Sequence, residues 1–107
     1  MDHYQKDTQG ISVGIYPTFQ EDQSNPEEDF YLWVYRVSIH NHSHRTIQIL
    51  HRHWEVVDVA GHVQQIDDRG VAGEQPVLRP EEDFVYLGWT PLAAPSGMMH
   101  GYYRVKS

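Results

Sequence analysis

Residues 30–40 read FYLWVYRVSIH, and the spacing of their side chains decides the fold. Tyr31, Trp33, Tyr35, Val37 and Ile39 alternate onto one face, the period of an extended strand. Phe30, Leu32 and Val34 make the opposite face apolar as well over the first half, which marks a central strand rather than an edge. Working outward, ISVGIYPTF (11–19) alternates Ile11, Val13 and Ile15, with Pro17 signalling an edge or the strand's end. EDQSNPEED (21–29) between them is a polar loop, and NHSHR (41–45) is a turn. In TIQILHRHWEVVDVAG (46–61) the alternation changes phase: Ile47 and Ile49 point one way, Leu50, Trp54 and Val56 the other. A bulge near 49–51, or a bend between sheets, reconciles the two halves.

Ala60-Gly61 reads as a hairpin turn into HVQQID (62–67), and DDRGVAGEQPVLRP (67–80) as a long loop. DFVYLGW (83–89) is a further strand, TPLAAPSG (90–97) a loop and MMHGYYRVKS (98–107) a last strand. No stretch shows an apolar stripe of helical period. Short strands separated by Gly and Pro turns predict one all-β domain over 1–107, a sandwich or barrel.

Charge and composition narrow the partners. Eight Lys and Arg against fifteen Asp and Glu give a formal charge of −7, with the cations scattered, so neither nucleic acid nor an anionic membrane is expected as a partner. The chain has no cysteine, which removes disulfides, thiolate metal sites and thiol nucleophiles together. MDHYQKDTQG (1–10) lacks the apolar core of a signal peptide, and no apolar run approaches a membrane span. A cytoplasmic location is the expectation.

Histidines are the first candidate site. Five of the eight fall within 40–53, and His40, His42 and His44 alternate, so an extended backbone projects them to one side. Three imidazoles can hold a divalent ion, but the tract itself contains no carboxylate to complete the set, and the expectation is a His-rich turn with no cofactor. The second candidate is the glycine loop around Gly70 and Gly73. A phosphate cradle needs a following helix, which Pro76 and Pro80 prevent, and Asp67, Asp68 and Glu74 would repel the phosphate. Its glycines then serve as positive-φ turn positions, while Arg69, Glu74, Gln75 and Arg79 offer side chains for recognising a protein. Acidic runs at 27–29, 67–68 and 81–83 flank strands and are read as solvated; no nucleophile has a base beside it, so no enzyme is expected. Trp33, Trp54, Tyr31 and Tyr35 are assigned to the core. Trp89, beside Gly88 and near Pro91, is the best aromatic candidate for an exposed anchor, although its residue type favours burial.

Several ordered motifs add to this reading. They are Gly10-Ile11-Ser12-Val13, Gln23-Ser24-Asn25-Pro26, Asn41, Arg52-His53-Trp54 and Gly70-Val71-Ala72-Gly73-Glu74-Gln75-Pro76, followed by Pro95, Gly97, Met99, Gly101 and Tyr103. Together they resemble the ApaG family over nearly the whole chain. The resemblance implies a fibronectin-III-like or immunoglobulin-like β-sandwich of two antiparallel sheets. It further implies use as a protein-interaction module, with an association of bacterial members with cobalt and magnesium resistance as the alternative and nucleotide or pyrophosphate binding at the glycine loop as a third. Two departures stand out. Asp68 occupies the first glycine of the family's Gly-x-Gly-x-x-Gly pattern, and the family pattern continues past Tyr103 with a further strand, whereas this chain reaches only Ser107. An uncovered sheet edge near 98–106, open to a partner or to a second copy in a homodimer, is therefore expected.

Overall fold

A computed structural model describes residues 4–71 and 73–107; Met1, Asp2, His3 and Ala72 of the glycine loop lie outside the described residues. Eight strands, β1 (Tyr4–Thr8), β2 (Ile11–Phe19), β3 (Tyr31–Asn41), β4 (Ile47–Asp58), β5 (Val63–Arg69), β6 (Val77–Leu78), β7 (Asp83–Leu92) and β8 (Gly97–Lys106), form two antiparallel sheets. The first sheet has the order β1-β2-β3-β7. In the second, β4 is central, with β5 and then β6 along one flank and β8 along the other. This is the expected all-β sandwich, and the strand read as central does lie between two others.

The two inner faces meet in one core. Ile15, Tyr35, Val37 and Ile39 come from the first sheet, and Ile47, Ile49 and Trp54 from the second. Each such side chain taken out of water contributes roughly 1.5–3 kcal/mol, so the alternation in 31–39 drives this face inward. The phase change in β4 is a bulge: its register with β8 shifts between Ile49 and His51. That extra residue lets Ile47 and Ile49, and beyond it Trp54 and Val56, all face the core.

Three boundaries depart from the sequence reading. Strand β1 pairs with β2 through a turn at Gln9-Gly10, both with positive φ, although its residues carry no apolar alternation. Its order comes from main-chain bonds to the strong strand beside it. The stretch expected as a loop over 67–80 contains the end of β5 and all of β6, because β4 supplies partners for both. Strand β7 runs on to Leu92, paired with Tyr31 of β3.

Candidate functional site

One end of the first sheet gathers the titratable side chains. Asn41, at the end of β3, is fully buried and holds the surrounding turns. Its amide nitrogen donates to the carbonyls of Arg45 (2.8 Å) and Leu78 (3.0 Å), and its Oδ1 accepts from the amide (2.9 Å) and hydroxyl (2.6 Å) of Ser43. Its backbone N–H donates to Glu82 O (3.1 Å), and its carbonyl accepts from the amide of Glu81 (2.7 Å). With Asn41 turned inward, His40 and His42 on either side of it face outward, against the start of β7. The antiparallel register sets His40 directly across from Asp83.

The carboxylates missing from the histidine tract are therefore supplied by residues 81–83. His40 Nδ1 contacts Asp83, and Nε2 lies 3.2 Å from Glu81 Oε2. Hydrogen bonds that His40 donates to Asp83 first, then Glu81, keep it charged to a higher pH than an ordinary imidazole. The rings of His40 and His42 are 4.1 Å apart. His40, His42 and Glu81 each present one ligand atom, all within 4.8 Å of one another; His44, expected to join them, is exposed in the turn and outside this group.

The glycine loop closes on itself. Val71 and Glu74 exchange both backbone hydrogen bonds (2.7 and 2.9 Å), a tight hairpin with Gly73 at φ +79°. Gly70 is a glycine for steric reasons too: a Cβ there would sit 2.0 Å from the Glu74 carbonyl oxygen. Its amide donates to Leu50 O (2.8 Å), and Gln75 Nε2 donates to the same oxygen (3.0 Å). Leu50 is also where the β4–β8 register slips; on this opposite flank Gly70 continues the β4–β5 ladder beyond the His51–Arg69 pair, and Gln75 adds a second donor to the same carbonyl. Gln75 is thus tied into the scaffold, whereas the exposed Glu74 and Arg69 make no side-chain hydrogen bond or ion pair among the described residues. Arg79 is held in its turn by Glu82, with Nε at 3.1 Å and the backbone amide at 2.7 Å.

The Arg52-His53-Trp54 motif divides by strand parity. Arg52 pairs with Asp68 across β4 and β5 and lies 5.7 Å from the Tyr86 ring centre. The residue that replaces a family glycine is therefore an ion-pair partner, and Asp67-Asp68 lie inside a strand rather than on a free loop. His53 stacks on Tyr102 at 5.1 Å and faces Asp67, which also contacts His51. Side-chain hydrogen bonding to His51 holds the Asp67 carboxyl below the usual carboxylate range. Trp54 is buried, edge-on to Tyr103 at 5.6 Å.

This arrangement can be set beside known proteins. The family model for the ApaG domain matches residues 21–107. The chain belongs to the ApaG domain family. Similar relatives include the ApaG proteins of Parvibaculum lavamentivorans (44% identical, covering 97% of this chain and 80% of that one) and Paramagnetospirillum magneticum (45%, covering 96% and 79%). The crystal structure of the protein described as ApaA from Bordetella pertussis superimposes with a TM-score of 0.87 at 36% identity, covering 89% of this chain and 77% of that one.

Two surfaces of this ApaG domain remain unfilled. On β7 the odd-numbered residues point away from the core, leaving Val85 52%, Leu87 64% and Trp89 70% exposed in one row. Trp89 is thus surface and not core, because the strand's even positions, Tyr86, Thr90 and Leu92, take the inner face. No sequence signal fixed that parity, since Phe84 to Leu92 is apolar at nearly every position. The second surface is a cleft of about 610 Å³ between β1 and β8, with Ile11, Val13 and Tyr103 among its apolar walls and Lys6, Arg45 and Arg104 at its sides. It adjoins the flank of β8 that is not paired with β4, the edge expected near 98–106. Among the described residues no helix is long and apolar enough to cross a membrane.

Proposed function

We propose that this ApaG domain is a non-enzymatic protein-binding module, and that its contact surface is the exposed row Val85, Leu87 and Trp89 on the edge strand β7. That row carries the reading. β7 ends the sheet order, so one side of its backbone has no partner strand. Asn41 N–H bonds to Glu82 O toward β3, whereas Pro91 O is taken by Gln64 Nε2 (2.7 Å) from the other sheet. Alternation then directs the amide groups of Val85, Leu87 and Trp89 away from β3, available to an extended segment of a partner. Edge strands are ordinarily blunted by charge or proline, and between Asp83 and Leu92 this one has Pro91 alone.

The way the histidines are engaged supports the non-catalytic reading. The imidazoles of His40, His51 and His53 are engaged with carboxylates, and the sequence has no cysteine. Nucleotide binding has less support, since the amides of Gly70, Val71 and Glu74 already bond to carbonyls of the chain itself.

The test is partner capture by the wild type, Leu87→Lys, Trp89→Ala and the loop variant Arg69→Ala/Glu74→Ala. Both β7 variants are expected to lose the captured protein while melting near wild type, because surface changes usually stay within about 0.5 kcal/mol. A partner kept by both β7 variants and lost by the loop variant would move the function to 69–75. Sedimentation of the purified chain tells whether a second copy is the partner; Leu87→Lys should then abolish the dimer.

A further inference from the structure

We propose that His40 Nε2, His42 and Glu81 form a three-ligand site for a borderline divalent transition metal such as zinc or nickel, with Asp83 orienting His40. Two imidazoles and one carboxylate suit these ions, whereas magnesium and calcium prefer shells made of oxygen. Distances support the assignment. Ligand bonds of about 2.0–2.2 Å in a tetrahedron put neighbouring ligand atoms roughly 3.4 Å apart. His40 Nε2 and Glu81 Oε2 stand at 3.2 Å, and His40, His42 and Glu81 each offer one ligand atom within 4.8 Å of the others. A rotation of the exposed His42 ring closes the remaining gap. The fourth position is left to water.

His40 also has the outer partner that a metal-bound imidazole needs. Asp83 contacts Nδ1 and holds a proton there, so an entering ion displaces the Nε2 proton shared with Glu81 and takes that nitrogen as its ligand. The backbone under the site is set in advance. Asn41 is clamped between the two histidines by its buried side chain, and the amide of Glu81 bonds to its carbonyl. Glu81 itself takes a left-handed backbone, φ 69°, uncommon for a residue with a side chain, in the turn where Glu82 N–H bonds to Arg79 O (3.0 Å). That conformation aims the carboxylate at His40. The three ligands come from two segments that only the β3–β7 pairing brings together, so the site exists in the folded chain alone.

The experiment is calorimetric titration of the purified chain with zinc, nickel and magnesium ions. The wild type should bind one zinc or nickel ion per chain and no magnesium. His42→Asn and Glu81→Gln should each weaken zinc binding at least tenfold, Asp83→Asn should weaken it about tenfold through His40, and His44→Asn should leave it unchanged. Because His42 and Glu81 are exposed, these variants should melt like wild type without metal, and only the wild type and His44→Asn should gain melting temperature on adding zinc. No one-to-one binding of either ion, or binding that survives both His42→Asn and Glu81→Gln, overturns the proposal. So does binding lost in His44→Asn, or in a His51→Asn/His53→Asn chain that keeps His40 and His42.

Discussion

Replacing Asn41 tests whether one buried side chain sets this end of the sandwich. Its amide joins three segments: the 42–45 turn through Ser43 and Arg45, β6 through Leu78, and its own strand. In Asn41→Ala the Leu78 carbonyl, on a residue that is itself buried, loses its side-chain donor in a place water reaches poorly. The β4–β6 ladder still pairs Leu78 with Ile47, so the loss there is the net worth of one hydrogen bond, about 0.5–1.5 kcal/mol. The Ser43 amide and the Arg45 carbonyl lie toward solvent and can be rehydrated, so each forfeits only about 0.5–1.5 kcal/mol. Together the loss is roughly 1.5–4.5 kcal/mol, which in a domain of this size lowers the melting temperature by about 6–25 °C. Thermal unfolding followed by circular dichroism measures it. Asn41→Asp keeps the shape but turns both donations into contacts between oxygens, so it should be at least as damaging at neutral pH. An Asn41→Ala chain that melts within about 3 °C of wild type refutes the reasoning.

The loop and the β4–β5 hairpin give two further tests. Gln75→Ala should cost about 1–2 kcal/mol by removing a donor to the bulged Leu50 carbonyl, whereas Glu74→Ala should stay within about 0.5 kcal/mol, both read from denaturant midpoints. Burial alone would raise the Asp58 carboxyl, but hydrogen bonds from the His62 amide and ring and the Ala60 amide hold it below the usual range. A carboxyl lowered in the folded state stabilises above its unfolded pKa, about 3.9, and that contribution disappears as pH falls through the folded value. The stability gap between wild type and Asp58→Asn should therefore be constant near neutrality and narrow below about pH 4; a gap that widens in acid contradicts the assignment.

The fold was legible wherever a strand buries one face. Residues 31–39 and 11–15 declare their inward side by alternation, and the broken phase at 49–51 located a bulge that the β4–β8 register contains. Strand β1 escaped notice because Gln5, Lys6 and Asp7 have no inward face to declare; it is ordered by its ladder to β2. Parity failed in β7 for the opposite reason, since a run apolar on both faces does not say which face is core, and so Trp89 could not be placed. The cluster of His40, His42 and Glu81 was half visible. His40 and His42 are two residues apart, whereas Glu81 and Asp83 lie some forty positions away and join them only through the pairing of His40 with Asp83. The same hidden register turned Asp67 and Asp68 from solvated loop charges into partners of His51 and Arg52.

Comparing the free edges strengthens the choice of β7 as the contact strand. Two open sheets present five outer strands, and a chain that stays monomeric must discourage pairing at each; β6, two residues long, does so by its shortness. Strand β1 carries Lys6 and Asp7 in the middle of its five residues. Strand β5 ends in Asp67, Asp68 and Arg69, and β8 carries His100, Arg104 and Lys106. Against an uncharged strand these side chains would lose part of their hydration with no opposite charge in return. Strand β7 has its one charge at Asp83, the first residue, and none through Leu92. If a second copy paired with it antiparallel about Leu87, Val85 would face Trp89 of the other chain and Asp83 would face Pro91, so no like charges would meet. Aromatic and β-branched pairs across strands are among the favourable ones, worth about 0.2–1 kcal/mol each. The remaining blunting device, Pro91, sits at the end of the row, where Gln64 already takes its carbonyl. A strand kept free of charge along its length, with its apolar side chains in water, is therefore poorly defended at the one edge where a partner strand would lose least by docking.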